Sequence, residues 1–372
     1  REILEEKSLG IDEDGFNAAM KRQKEQARAA RKTTNYMGAD VTVYQSIDPA
    51  ITTEFIGYDR LTAESEISVL TTEDEIVEAL TDGQTGTIIT KETPFYGTMG
   101  GQQGDKGTIH SANGEFKVEE TIHLQGGKIG HVGVMTKGML RVGEAVTLSV
   151  CERNRALTCR NHSATHLLQK ALRTVLGSHV EQAGSYVDAG RLRFDFTHFS
   201  AMTAEEIAKT QALVNKMILE GHPVVVEELP IAQAKDKGAM ALFGEKYGDI
   251  VRVCTMGDSV EFCGGTHVHD TAEIGVFKII SESSVAAGVR RIEAATGMGV
   301  LELLDNAESV IGAVASEFKA AGQAEVVAKA QSVAKELKAQ AREIESLQAQ
   351  LANGKIKELF ENTVTVKGIR YI

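Results

Sequence analysis

Two pairs of ligand-type side chains, His162 with His166 and Cys263 with His267, constrain the fold of this chain more than any other feature. Each pair is spaced four residues apart, and 96 residues intervene between the pairs. The first lies in a run where Leu167, Leu168, Ala171, Leu172, Val175 and Leu176 recur with helical spacing before Gly177. A helix places residues i and i+4 on one face about a turn apart, so both imidazoles can reach one ion. The second pair adds a thiolate and an imidazole across Gly264 and Gly265, which permit a tight backbone. Three imidazole nitrogens and one thiolate suit zinc, because soft sulfur disfavours magnesium and calcium. Either pair alone would read as ordinary surface or core residues, and it is their joint presence that points to a metal. His269 is an alternative fourth ligand, whereas His110, His123, His131, His179, His198 and His222 lack such spacing.

Composition sets outer bounds. A chain of 372 residues predicts two or three domains, each able to bury a core. Hydrophobic content of 42% and charged content of 25% are ordinary for soluble proteins. No apolar run is long enough to predict a membrane span. Residues 1–6 do not read as a signal peptide and look like the interior of a helix continued from upstream. Cys151, Cys159, Cys254 and Cys263 show no paired framework, which predicts a reducing, cytoplasmic setting. A net charge of −12 excludes a surface coated for nucleic-acid binding. Yet within 151–173, Arg153, Arg155, Arg160, Lys170 and Arg173 stand against Glu152, five positive minus one negative giving +4. That cluster is a candidate phosphate-binding patch, with a solvated helix face as the plain alternative.

Pattern divides the chain into five segments, and the fold class expected is α+β. Residues 1–35 read as helical, the end of an upstream domain. Residues 36–150 carry short alternating runs at 41–44, 54–58, 66–70, 86–90, 116–118 and 145–150, which predict a small β-barrel. The glycine-rich stretch 97–107 lacks the Gly-Lys-Ser/Thr and following helix of a phosphate loop, so tight turns and bulges are expected there. Residues 151–300 mix helices and strands around the metal ligands, with Thr203 and Glu206 spaced as a capping box. In 301–362, Val326, Ala330, Val333, Leu337, Gln340, Ile344, Leu347 and Leu351 repeat at alternating steps of four and three. This seam, broken only by Gln340, predicts a coiled coil with residues 301–318 or with a second copy of the chain. Residues 363–372 read as the opening strand of a further domain.

The segments 161–167 and 263–267 resemble the zinc motifs of the alanyl-tRNA synthetase editing domain, a site shared with threonyl-tRNA synthetases and free-standing alanyl-tRNA deacylases. Residues 238–247 and 287–294 resemble the bacterial alanyl enzyme in particular, and the likeness runs along the whole chain. The resemblance implies one zinc on His162, His166, Cys263 and His267, helping to hold the aminoacyl end of tRNA. It implies a pocket that includes Thr165, Gln182, Gly264 and Gly265, and RNA contacts by Arg160, Arg290 and Arg291. The implied reaction is hydrolysis of seryl- and glycyl-tRNA specific for alanine. The implied partner is the acceptor end of that tRNA; a second copy docked through the C-terminal helices stays one of the two partners the seam leaves open, and no membrane is expected. ATP and Mg would serve alanine ligation only in an upstream domain. Two alternatives remain, a free-standing deacylase and a tRNA-binding scaffold with structural zinc. The plain readings of Thr165 and Gln182 are a hydroxyl bonded back to its own helix and a surface loop residue.

Overall fold

The computed structural model describes residue 15 and residues 41–240, 248–362 and 364–371. The expected helix over 1–35 and most of the 238–247 segment lie outside the described residues. The chain divides into a unit ending at Gly299 and a unit beginning at Val300.

The first unit opens on a short helix, α1 (Val41–Gln45), where alternation of β-branched residues predicts a strand. Tertiary packing overrides that propensity. Val43 within the helix and Ile47 just beyond its end are buried, and Tyr44 shares a hydrogen bond with the Thr87 hydroxyl at 2.9 Å. The predicted strand at 54–58 shrinks to Glu54–Phe55, paired in parallel with Glu92–Thr93.

Six antiparallel strands then close a barrel: β1 (Thr62–Thr71), β2 (Thr85–Thr90), β3 (Gly107–His110), β4 (Gly114–Leu124), β5 (Lys128–Arg141) and β6 (Ala145–Val150). Their order is β6-β3-β4-β5-β2-β1, and β6 pairs back onto β1 to leave no edge. Alternate residues point inward, so Ile67, Ile88, Ile109, Phe116, Met135 and Leu148 fill the interior.

Helix α2 (Glu152–Leu176) leaves the barrel directly and carries the first histidine pair. Its inner face packs against a four-stranded antiparallel sheet of order β7-β8-β13-β12, where β7 is Gln182–Val187, β8 Leu192–Thr197, β12 Phe277–Ala286 and β13 Val289–Thr296. Helix α3 (Ala204–Glu220) completes that layer, and its Thr203–Glu206 capping box is formed. Between α3 and β12 runs a three-stranded sheet of β9 (Val224–Pro230), β10 (Ile250–Met256) and β11 (Ser259–Phe262). Leu167, Leu168, Leu172, Phe194, Phe196, Phe277 and Ile292 share one core. Strands β3, β5, β7, β11 and β13 are unmarked by pattern; in β5, glycines interrupt the alternation.

Barrel and core meet through one buried ion pair. Arg155, in the first turns of α2, reaches Asp105 from the barrel loop and also donates to the carbonyls of Gly57 at 2.6 Å and Pro94 at 2.8 Å. Both side chains are nearly inaccessible. The sequence-level basic patch therefore loses Arg155 to the interior.

The second unit contains α5 (Val326–Glu361), and α4 (Met298–Glu317) spans the division between the units. On α5, Val326, Ala330 and Val333 are half-buried, but Leu337, Ile344, Leu347 and Leu351 are each more than half exposed. Most of the seam is thus uncovered among the described residues. Residues 364–371 form a two-stranded hairpin, Val364–Val366 with Ile369–Tyr371. All four cysteines are free, and no helix among the described residues is long and apolar enough to cross a membrane.

Removing one partner of a buried pair leaves the other charge unmatched. Arg155→Met should destabilise the first unit by about 3–5 kcal/mol, read by denaturant unfolding, and a change below about 1 kcal/mol would show that the pair does not hold this joint.

Candidate metal centre

The i, i+4 spacing on α2 places His162 and His166 on its buried face, with ring centroids 5.3 Å apart. Strand β11 ends at Phe262, and the turn that follows brings Cys263 and His267 to the same point. The ligand atoms of His162, His166, Cys263 and His267 all lie within 4.8 Å of one another, and among the described residues this is the one such group. Cys263 Sγ sits 3.5 Å from His162 Nε2 and 3.2 Å from His267 Nε2. These approach the edge lengths of a tetrahedron with metal–ligand bonds of about 2.0–2.3 Å. His269 is exposed and stands outside the group.

Each imidazole is held at its other nitrogen. His162 Nδ1 meets Gln102 Oε1 at 2.7 Å, His166 Nδ1 meets Glu261 Oε2 at 2.7 Å, and His267 Nδ1 meets Ser163 Oγ at 3.2 Å. Such partners fix ring orientation and leave Nε2 for an ion. His166 Nε2 is buried without any hydrogen-bond partner, an orphan that an ion would satisfy. Burial pushes the Cys263 thiol up, but the imidazoles of His162, His267 and His166 outweigh it and hold the thiol well below its ordinary value. Burial likewise drives His267 down, to about 3, so its ring is neutral. His166 feels the same desolvation, yet the carboxylate of Glu261 and the Cys263 thiolate raise it well above the usual range. A thiolate amid imidazoles whose Nε2 atoms converge fits a four-coordinate cation in its donor chemistry.

Gln102 comes from the glycine-rich barrel loop. Met99 and Gln102 exchange backbone hydrogen bonds across Gly100 and Gly101, both with positive φ, as a two-residue hairpin turn of the primed kind requires. The loop is a tight turn, and it serves the site. Buried Gln102 accepts from the Thr266 amide and donates to the Thr266 hydroxyl, locking the glycine turn to the barrel.

A cavity of about 490 Å³ opens on the ligand group, lined also by Thr165, Gln182, Gly264 and Gly265. Thr165 Oγ1 donates to the Asn161 carbonyl at 2.9 Å, the helix-internal bond of its plain reading, while still lining the cavity. Gln182 stands at the start of β7 instead of in a loop. The three arginines do not line it. Arg160 Nε donates to the Glu273 carbonyl, Arg290 is paired with Glu282, and Arg291 grips Asp195 through two bonds of 2.7 and 2.8 Å. Arg290 and Arg291 are thus ion-paired within the first unit, while Arg160 is held only by a backbone carbonyl.

Sequence reasoning missed Gln102, Ser163, Glu261, Tyr58 and Arg252. Glu261 lies two residues before Cys263, near the end of β11. Ser163 follows His162 directly. Gln102 and Tyr58 carried no local signal.

A Cβ on Gly265 would fall 2.1 Å from His162 Cε1 and 2.5 Å from its Nδ1. Gly265→Ala should displace a ring that Gln102 holds and lower bound metal several-fold, measured by elemental analysis of folded protein. Full metal content in that variant would show that the ring has room to move.

Comparison with known proteins agrees with this geometry. Residues 1–154 match the family model described as tRNA synthetases class II (A), and residues 251–293 match the Threonyl and Alanyl tRNA synthetase second additional domain. Over its full length the chain is 55% identical to alanine–tRNA ligase 1 of Lachnoclostridium phytofermentans. It is 42% identical to the alanine–tRNA ligases of Acetivibrio thermocellus and of Cupriavidus necator. It spans 42% of the length of each of these relatives. Matched from end to end to one portion of these enzymes and carrying the additional domain of the alanyl and threonyl types, the chain belongs to the alanyl-tRNA synthetase family.

Proposed function

We propose that this chain hydrolyses the ester of seryl- and glycyl-tRNA specific for alanine. It would act as the editing part of an enzyme that elsewhere ligates alanine to that tRNA with ATP and Mg. The observation that carries the reading is a cluster of His162, His166, Cys263 and His267, of which the first three line a cavity together with Thr165, Gln182, Gly264 and Gly265. The ion we assign to the ligands is zinc, one per chain, which when bound supplies Lewis-acid polarisation at the ester or water. The setting is cytoplasmic. The segments we assign are 36–150 as the barrel, 151–300 as the editing domain and 301–362 as the coiled segment.

Hydrolysis joins a water oxygen to the ester carbon and returns the proton to the departing ribose oxygen. The ester is already activated, so the protein must chiefly position water and accommodate charge on the carbonyl oxygen. Thr165 Oγ1 spends its proton on Asn161, which leaves its lone pairs to accept from a serine hydroxyl. Alanine offers no such donor, and a site built on that bond discriminates by up to about 10⁴-fold. Glycine lacks the hydroxyl as well, so its acceptance rests on size. Gln182 contacts the aminoacyl end from β7.

The fragment should deacylate seryl- and glycyl-tRNA and spare alanyl-tRNA. Cys263→Ala should lose both zinc and hydrolysis, Gln182→Ala should weaken hydrolysis with zinc retained, and Thr165→Val should lose preference for serine. A scaffold with structural zinc is the second reading, favoured by four protein ligands on one ion, which is the closed set of structural sites. Metal-loaded protein that hydrolyses nothing would establish it over editing.

The exposed seam from Leu337 to Leu351 supports a homodimer through the C-terminal helices. Sedimentation should give a dimer for the wild type and half that mass for Leu337→Asp. A monomeric wild type would remove the dimer from this account.

A further inference from the structure

Arg252 is the one lysine or arginine among the described residues lining the metal cavity. It sits on β10, and its Nη1 donates to the carbonyls of Cys263 and Gly265, each at 2.8 Å. Its guanidinium carbon lies 4.0 Å from the ring centroid of Tyr58, and the Tyr58 hydroxyl donates to the Gly264 carbonyl at 2.8 Å. Three successive carbonyls of the glycine turn are thus taken by two side chains, one from β10 and one from the segment that precedes the barrel strands. The guanidinium is fixed by two backbone acceptors and by stacking before any ligand arrives.

What that fixation leaves over is informative. Nε and Nη2 donate to no described residue. These two atoms form the edge of a guanidinium that matches two oxygens of a phosphate. The one carboxylate in the cavity lining, Glu261, is engaged by His166, and Glu228, the cross-strand neighbour of Arg252 on β9, forms no ion pair with it among the described residues. A cation in this place also repels the ammonium of an aminoacyl group, favouring the pose that puts phosphate toward Arg252 and ester toward the ligand group.

We propose that Arg252 binds a phosphate of the nucleotide that carries the ester, through its Nε and Nη2 edge, while Tyr58 holds it in position. This rests on the editing reading, and neither residue belongs to the metal ligands. Each phosphate contact contributes about 0.7 to the slope of log affinity against log salt for single-stranded nucleic acid.

The test uses the full chain and uncharged tRNA specific for alanine as the probe, with binding followed by fluorescence anisotropy across a salt series. Arg252→Met should flatten the slope by about 0.7 with bound metal unchanged, Arg252→Lys should restore it, and Tyr58→Phe should keep it. A wild-type slope in Arg252→Met overturns the proposal. Loss of bound metal in that variant also overturns it, because Arg252 would then act by positioning the Cys263 turn. Wild-type protein that binds no tRNA defeats this proposal and the editing reading together. A flattened slope in Arg252→Met beside a wild type that hydrolyses no seryl-tRNA supports the phosphate contact and defeats only the editing reading.

Discussion

The buried pairing of Arg155 with Asp105 is the constraint on which the first unit depends. It ties the first turns of α2 to the barrel, and Asp105 in turn accepts from the Tyr96 amide at 2.7 Å. Tyr96 and Asp105 are the two ends of the loop that carries Gln102, and their backbones are also joined, Asp105 N–H to the Tyr96 carbonyl. The same contact that seats the helix therefore shapes the loop that steadies His162. A buried ion pair is a weak contributor to stability when compared with apolar packing, but it demands one geometry. Here the geometry it demands is the alignment of loop and helix.

The candidate ligand group shows how much of such a site resides outside its ligands. Three rings are each turned by a group from a different element: Gln102 from the barrel loop, Ser163 from α2 and Glu261 from β11. The thiolate is stabilised by the rings that surround it, and the thiolate and Glu261 in turn raise the pKa of His166 against its burial. Such mutual dependence makes the site an all-or-none arrangement, in which displacing one ring alters the protonation of its neighbours.

Much of this was legible in the chain, for physical reasons that differ by element. The ligand pairs were legible because their spacing is a property of helices and tight turns, which are local. The barrel strand at 145–150 was legible because alternation is local too, and it forms with those bounds. At 41–44 the same alternation misled, because burial of Val43 with Ile47 and the Tyr44 contact to Thr87 decide the outcome through residues more than forty positions away. Strand β5 was hidden by glycines that are needed for close approach, since a Cβ at Gly133 would strike the Lys117 carbonyl at 1.9 Å. Arg290 and Arg291 read in sequence as RNA contacts, and only the pairing of β8 with β13 reveals Asp195 beside Arg291. Gln102 was invisible for the same reason: its partner lies 60 residues on and meets it only after the barrel closes.

That reach of Gln102 has a thermodynamic consequence. An ion bound by the folded form alone stabilises every part of the structure that must be in place for binding. Because one of the groups holding the ligands descends from the barrel, occupancy of the centre and integrity of the barrel are linked quantities. A substitution inside the barrel, remote from any ligand, would then be felt as a change in metal affinity, and chelation would be felt as loosening of strands that never touch the ion.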